Sequence, residues 1–175
     1  MPITSDTPTN LVVGAGEVYR NDASLGASVD NNVFRIEREL FTPDLNGSKG
    51  ALLGTDYITR SEAALECTVP EVSAEVLAAG WPGSQSDTVG DVTTIDEDGT
   101  RRIPEADYAN WELQVERLGG GEFQFEVDNA IATTNYEGEL TDDGLFAPRY
   151  TVMGRWDPAD LDVSPHRIRI LAVAS

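Results

Sequence analysis

The sequence predicts a mainly-β fold: a β-sandwich or barrel with one flanking α-helix and one long extended hairpin. Three observations carry that prediction. First, Val33–Phe41 and Asp56–Val69 both alternate with a period of two residues, which marks strands with one wet and one buried face. Second, Trp111–Leu118 and Glu122–Asn129 alternate just as sharply, with Gly119-Gly120-Gly121 between them. Third, only Pro70–Ala79 shows a helical stripe, so helices are scarce.

Leu11–Arg20 reads as the first strand, with Val12, Ala15 and Val18 interrupted by Gly14 and Gly16. Glycines inside a strand mark a bulge or a close backbone approach. Asn21–Gly26 supplies turn residues. In the long pair, Val33, Arg35, Glu37 and Glu39 share one face and Phe34, Ile36 and Leu40 the other. On the return strand, Arg60, Glu62 and Glu66 face away from Ala63, Leu65, Cys67 and Val69. The Gly-rich loop between the two, Asn46–Gly54, is too long for a tight turn, so the pair reads as a hairpin built to join something larger than one subunit.

Pro70 suits the first helical position, Val72, Val76 and Leu77 form an apolar stripe, and Gly80 can end the helix in a left-handed conformation. Gly83–Gly90 reads as a loop, and Val92–Ile95 with Thr100–Ile103 as a hairpin whose tip is Asp96-Glu97-Asp98-Gly99. Further strands are expected at Ala130–Glu139, Leu145–Arg155 and Arg167–Val173, with a one-turn helix at Asp157-Pro158. The whole amounts to seven to nine strands and one helix in a single domain over 1–175, as the length allows.

Charge excludes more than it reveals. There are 31 acidic residues against 12 basic ones, a formal net charge of −19, and Lys49 is the sole lysine. Binding to nucleic-acid phosphates needs cationic contacts that release counterions, and anionic membrane surfaces are equally poor partners. General solubility, or adaptation to a salty cytoplasm, accounts for such a balance as well as a function built on repelling DNA. No apolar run approaches the ~18 residues that span a bilayer. Residues 1–10 are polar and read as a flexible arm, so a soluble protein made in a cytoplasm is expected.

Catalytic and cofactor chemistry is sought without success. Gly14-Ala15-Gly16 begins like a dinucleotide fingerprint, but Tyr19 stands where the third glycine belongs and no helix follows. Asp96, Asp98, Gly99 and Glu105 fall at the third, fifth, sixth and twelfth positions of a calcium loop. Thr94 replaces its first carboxylate and neither flank is helical, so these residues are a weak metal candidate and a solvated turn is the simpler reading. His166 is the only histidine, which leaves no cluster for zinc, and it reads as a surface or interface residue. Cys67, on the apolar face, reads as a buried, inert thiol. No enzyme activity and no cofactor are expected.

Taken in order, these features resemble a known family. Val12-Val13-Gly14-Ala15-Gly16-Glu17-Val18-Tyr19 is followed by Leu25-Gly26-Ala27, then Phe34-Arg35-Ile36-Glu37-Arg38-Glu39, the Gly-rich loop, the return strand and Val72-Ser73-Ala74-Glu75-Val76-Leu77. This succession resembles the tail tube (major tail) proteins of long-tailed viruses of bacteria and archaea. The first half of the chain carries the likeness through order and spacing; the second half agrees only in being rich in strands.

The resemblance implies a virion protein, assembled in the host cytoplasm as hexameric rings that stack into a tube. Strands from each subunit would pair around the ring into one inner β-barrel, with Val33–Phe41 and Asp56–Val69 among them. Residues 42–55 would be the loop to the adjacent ring, with Asn46, Gly47, Ser48, Lys49 and Gly50 at its centre. Arg35, Glu37, Glu39, Arg60, Glu62 and Glu66 would line the bore past which double-stranded DNA moves without specific binding, the two arginines pairing with carboxylates across strands. Implied partners are the chain itself and tape-measure, tail terminator and distal tail proteins, with no membrane. An inner tube of a contractile tail, and a soluble acidic β-sandwich binding module with divalent cations at 94–105, are the rival readings. Eleven arginines to one lysine suit either a GC-rich bacterial host or a halophilic archaeal one.

Overall fold

Alternating segments dominate this chain, and the computed structural model turns nearly all of them into strands. It describes residues 15–43, 54, 56–70, 73–97, 99, 102–117, 120–134 and 147–172. Among them are β1 (Glu17–Arg20), β2 (Ala23–Ala27), β3 (Val29–Phe41), β4 (Tyr57–Thr68), α1 (Ala74–Ala79), β5 (Ser84–Val89), β6 (Val92–Glu97), β7 (Ala109–Glu116), β8 (Glu122–Thr134), β9 (Arg149–Met153) and β10 (His166–Leu171). A one-turn 3-10 helix spans Glu105–Asp107.

Eight antiparallel strands form one sheet in the order β2-β1-β7-β8-β9-β4-β3, with β10 also on β8. β8 makes this sheet fold over itself. Its first half, Glu122–Val127, lies between β7 and β10, whereas Ile131–Thr134 pairs with β9. Asn129, at a φ of 48°, sits at the changeover, a left-handed conformation that asparagine tolerates better than most residues. The result is sandwich-like: β2-β1-β7-β8-β10 on one side and β3-β4-β9-β8 on the other.

The core is what the alternation predicts. Trp111, Leu113, Val115 and Val127 pack from one side, and Leu65, Cys67, Val69, Tyr150 and Val152 from the other. The Trp111 and Tyr150 rings meet at 5.4 Å, within the range where tilted aromatic pairs attract. Tyr150 also donates its hydroxyl to the Val76 carbonyl at 2.6 Å, tying α1 to the sheet. Gly16 is a close backbone approach, as expected. A Cβ there would lie 2.5 Å from the Gln114 carbonyl oxygen, and Ser28 Oγ both accepts from its amide and donates to its carbonyl.

Several element boundaries differ from the sequence reading. The turn after β1 is only Asn21-Asp22, both left-handed at φ 49° and 64°, and Ala23–Ala27 returns as a strand. Two-residue hairpins of this hand match the strand twist. The helix begins after Ser73, whose side chain accepts from the Val76 amide, instead of at Pro70; Gly80 ends it at a right-handed φ of −92°. Ser84–Val89 is a strand, not a loop, and it is the partner of Val92–Glu97; Thr100 and Arg101 of the expected second strand lie outside the described residues. Both strands are almost wholly exposed, which removes the apolar alternation that would have revealed them. Ala130–Thr134 continues β8 instead of starting anew. Asp157–Asp160 closes a bridged turn, Asp157 Oδ1 accepting from the Ala159 amide, where a helix start was expected.

Candidate functional site

The β3–β4 pair runs in register from Val33↔Glu66 to Phe41↔Tyr57, with a bulge after Glu39. β9 pairs with β4 only as far as Ala64. Beyond it, the Gly154 amide donates to the Ala63 carbonyl and Trp156 Nε1 to the Ser61 carbonyl. From Ser61 outward the pair is a free two-stranded ribbon. No described strand pairs with the outer edge of β3.

Register places Arg35 opposite Ala64, Glu37 opposite Glu62, and Glu39 opposite Arg60. Side chains directly opposite in an antiparallel pair share a face. All six residues singled out in the sequence (Arg35, Glu37, Glu39, Arg60, Glu62 and Glu66) therefore lie on one face of the ribbon. Arg149 and Thr151 join them from β9, through Thr68↔Arg149 and Glu66↔Thr151.

The charges on this face are paired. Arg35 Nε meets Glu37 at 3.0 Å and its Nη2 reaches Glu66 at 3.8 Å. Glu66 takes a second guanidinium, Arg149, at 2.8 Å, so one carboxylate ties β3, β4 and β9 together. Arg60 meets Glu62 at 2.9 Å and Glu39 at 3.5 Å. The hydrogen bond to Glu62, then the charges of Glu62 and Glu39, hold the Arg60 guanidinium above its ordinary value. Four carboxylates thus face three guanidinium groups, and each of these cations is held by at least one carboxylate. Arg149 escaped the sequence reading because its strand's facing is set by register with β4, which no local pattern encodes.

The ribbon's other face carries Phe34, Ile36, Arg38 and Leu40. Phe34 packs on Phe125 at 5.2 Å, and at the ribbon's tip Leu40 and Ile58 on this face, with Phe41 and Tyr57 on the charged one, are all more than half exposed. The residues expected at the loop centre, Asn46, Gly47, Ser48, Lys49 and Gly50, lie outside the described residues, as does the 1–10 arm.

The remaining candidates separate. Asp96 sits in β6 opposite Gln85, and Glu105 in the 3-10 turn, while Asp98 lies outside the described residues. Among the described residues no three His, Cys, Asp or Glu side chains come together to hold a metal. Cys67 is 1% exposed and burial pushes its thiol up to about 12. His166 is buried, not a surface residue: burial first, and the Arg38 charge second, depress its pKa, and Ser164 Oγ lies 3.2 Å from its Nδ1.

A second charged cluster was missed. Glu126, which alternates with Phe123, Phe125 and Val127 in the sequence, is buried beneath Arg167 and Arg169, which reach it from β10 at 2.9 Å each. Burial, joined by the Glu112 charge, holds its carboxyl above the ordinary value against the pull of Arg169 and Arg167. The alternation of Arg167 and Arg169 hinted at a shared face but not at what they cover.

No family model matches the chain, and a search of curated proteins finds no match either. None of the described helices is long and apolar enough to cross a membrane.

Proposed function

We propose that this chain is a structural virion protein whose copies close into hexameric rings and stack into a tail tube, the conduit through which a genome is delivered. The observation that carries the reading is the β3–β4 ribbon. Among the described residues it offers a 13-residue strand with an unpaired edge, an exposed apolar tip and one face whose cations Arg35, Arg60 and Arg149 are all paired.

A long free edge is an aggregation liability unless something pairs with it, and closing a ring of subunits removes it. The apolar tip asks for cover in the same way, which a contact between successive rings would supply. The charged face then becomes the wall of the bore. Duplex DNA presents a phosphate charge every ~1.7 Å, and it adheres where cations are free to displace its counterions. On this face Arg35, Arg60 and Arg149 are already held by Glu37, Glu39, Glu62 and Glu66. The wall is therefore non-stick chiefly because its cations are occupied, with a small acidic excess adding repulsion inside a screening length of ~8–10 Å. Tape-measure, tail terminator and distal tail proteins would meet the ends or the filling of such a tube.

The test is direct. Mass in solution and negative-stain microscopy of the purified full chain, across protein and salt concentration, should reveal rings and stacked tubes. A monomer under every condition overturns the proposal.

A further inference from the structure

Along β4 beyond its pairing with β9, beside the segment that follows β9, lies an open groove of about 820 Å³. Its walls are Arg38, Ile58 and the Arg60–Glu62 pair from the ribbon, Met153, Arg155 and Trp156 from the end of β9 and the segment after it, and buried His166. Ile58 is 58% and Trp156 39% exposed, so the groove is both apolar and accessible.

Two of its three arginines, Arg38 and Arg155, differ from those in ion pairs. Arg35, Arg60, Arg149, Arg167 and Arg169 all hold carboxylates. Arg38 holds none among the described residues, and Arg155 bonds only the carbonyl of its neighbour Gly154, at 3.1 Å. The carboxylate that lines the groove, Glu62, is taken by Arg60 at 2.9 Å, so in a chain with 31 acidic residues two exposed guanidinium groups without a carboxylate stand there beside exposed apolar surface. The fitting partner is a short element that carries both apolar side chains and carboxylates.

The chain has such an element. The β5–β6 hairpin pairs with no other described strand, and no residue of it lines the groove. Its tip runs Asp87-Thr88-Val89-Gly90-Asp91-Val92, with Val89 74% and Val92 65% exposed. Two carboxylates beside two bare valines complement two arginines beside Ile58, Met153 and Trp156.

We propose that this groove is the socket for the β5–β6 tip of a second copy of the chain. The inference rests on the self-assembly proposed above and names a contact that joins the copies. Because tip and socket are different surfaces, the contact is head-to-tail, and repetition yields a ring or a filament and not an isolated dimer.

Charge exchange tests it on the full chain. R38E/R155E and D87R/D91R change exposed residues, so each variant should keep its thermal melt by circular dichroism. Each alone should raise the protein concentration needed for assembly by roughly a hundredfold or more, since opposed like charges at an interface are costly. All four changes in one chain should bring assembly back to within about tenfold of the unmodified protein. Two results overturn the socket while leaving the tube reading intact: single-site pairs that assemble normally, or a combined chain no better than its parents. Loss with R38E/R155E but not with D87R/D91R would put a different acidic element in the groove and end the hairpin assignment. If the unmodified chain never assembles, both proposals fall together.

Discussion

Replacing Glu62 and Glu66 together by lysine inverts the ribbon's charged face and tests whether occupied cations keep it from holding DNA. The face changes from three guanidinium groups and four carboxylates to five cations and two carboxylates. Arg149 and Arg35 lose Glu66, at 2.8 and 3.8 Å, and Arg60 loses Glu62, at 2.9 Å. The Glu62 and Glu66 side chains are 41% and 22% exposed, so solvent screens these pairs. Each lost pair costs ~0.2–1 kcal/mol, and the three together roughly 1–3 kcal/mol. Domains of ordinary stability, ~5–15 kcal/mol, tolerate that loss, so tubes should still form.

The effect on DNA is far larger. Each phosphate neutralised contributes ~0.9 to the slope of log affinity against log salt, so contacts around one ring, ~6–10 of them, span 10³–10⁵ in affinity over a fourfold salt change. Virions with E62K/E66K should therefore carry intact tails yet release their genome at least tenfold more slowly at low salt, with recovery as salt rises. Tail integrity is read by negative-stain microscopy and release by a DNA-binding dye. Unaltered release at every salt concentration, with intact tubes, would refute the lining argument.

Gly16→Ala should cost about 2–3 kcal/mol and lower the melting temperature by roughly 5–10 °C, because the new methyl group meets a backbone carbonyl that β1–β7 pairing holds in place. Tyr150→Phe should cost about 1–3 kcal/mol in denaturant unfolding by stranding the buried Val76 carbonyl. His166, whose folded pKa is depressed, binds its proton more readily when unfolded; stability should fall as pH drops from ~6.5 towards the lower folded value, and His166→Gln should flatten the melting temperature across that window. Tube formation should strengthen with salt or Mg²⁺, since a hexamer carries six times −19, and light scattering that weakens as salt rises would count against this.

Much of this architecture can be read from alternation, because a strand with one buried face writes its facing into its own residues. Leu65, Cys67, Val69, Trp111, Leu113 and Val115 are core in the structure for that reason, and the charged face opposite them follows without further information. Elements without a buried face leave no such trace. β5 and β6, rich in Ser, Thr and Asp, read as loop and as half of another hairpin because nothing beneath them demands apolar side chains. Register is the other silent quantity. Arg149 joins Glu66, and Arg167 with Arg169 covers Glu126, only once strands distant in sequence are laid side by side.

That dependence on register also changes how the acidic composition should be understood. Counting residues suggests a repulsive wall, since Glu37, Glu39, Glu62 and Glu66 alternate along the ribbon. Laying β9 beside β4 adds Arg149 and leaves four carboxylates against three cations, so this face holds little of the chain's net charge of −19. Paired charges about 3 Å apart act as short dipoles, whose field fades well before one screening length. A surface of that kind neither pulls strongly on a phosphate backbone nor pushes it far. The acidic excess then lies on surfaces elsewhere, and Arg38 and Arg155, which hold no carboxylate among the described residues, would answer it if copies of the chain meet as proposed.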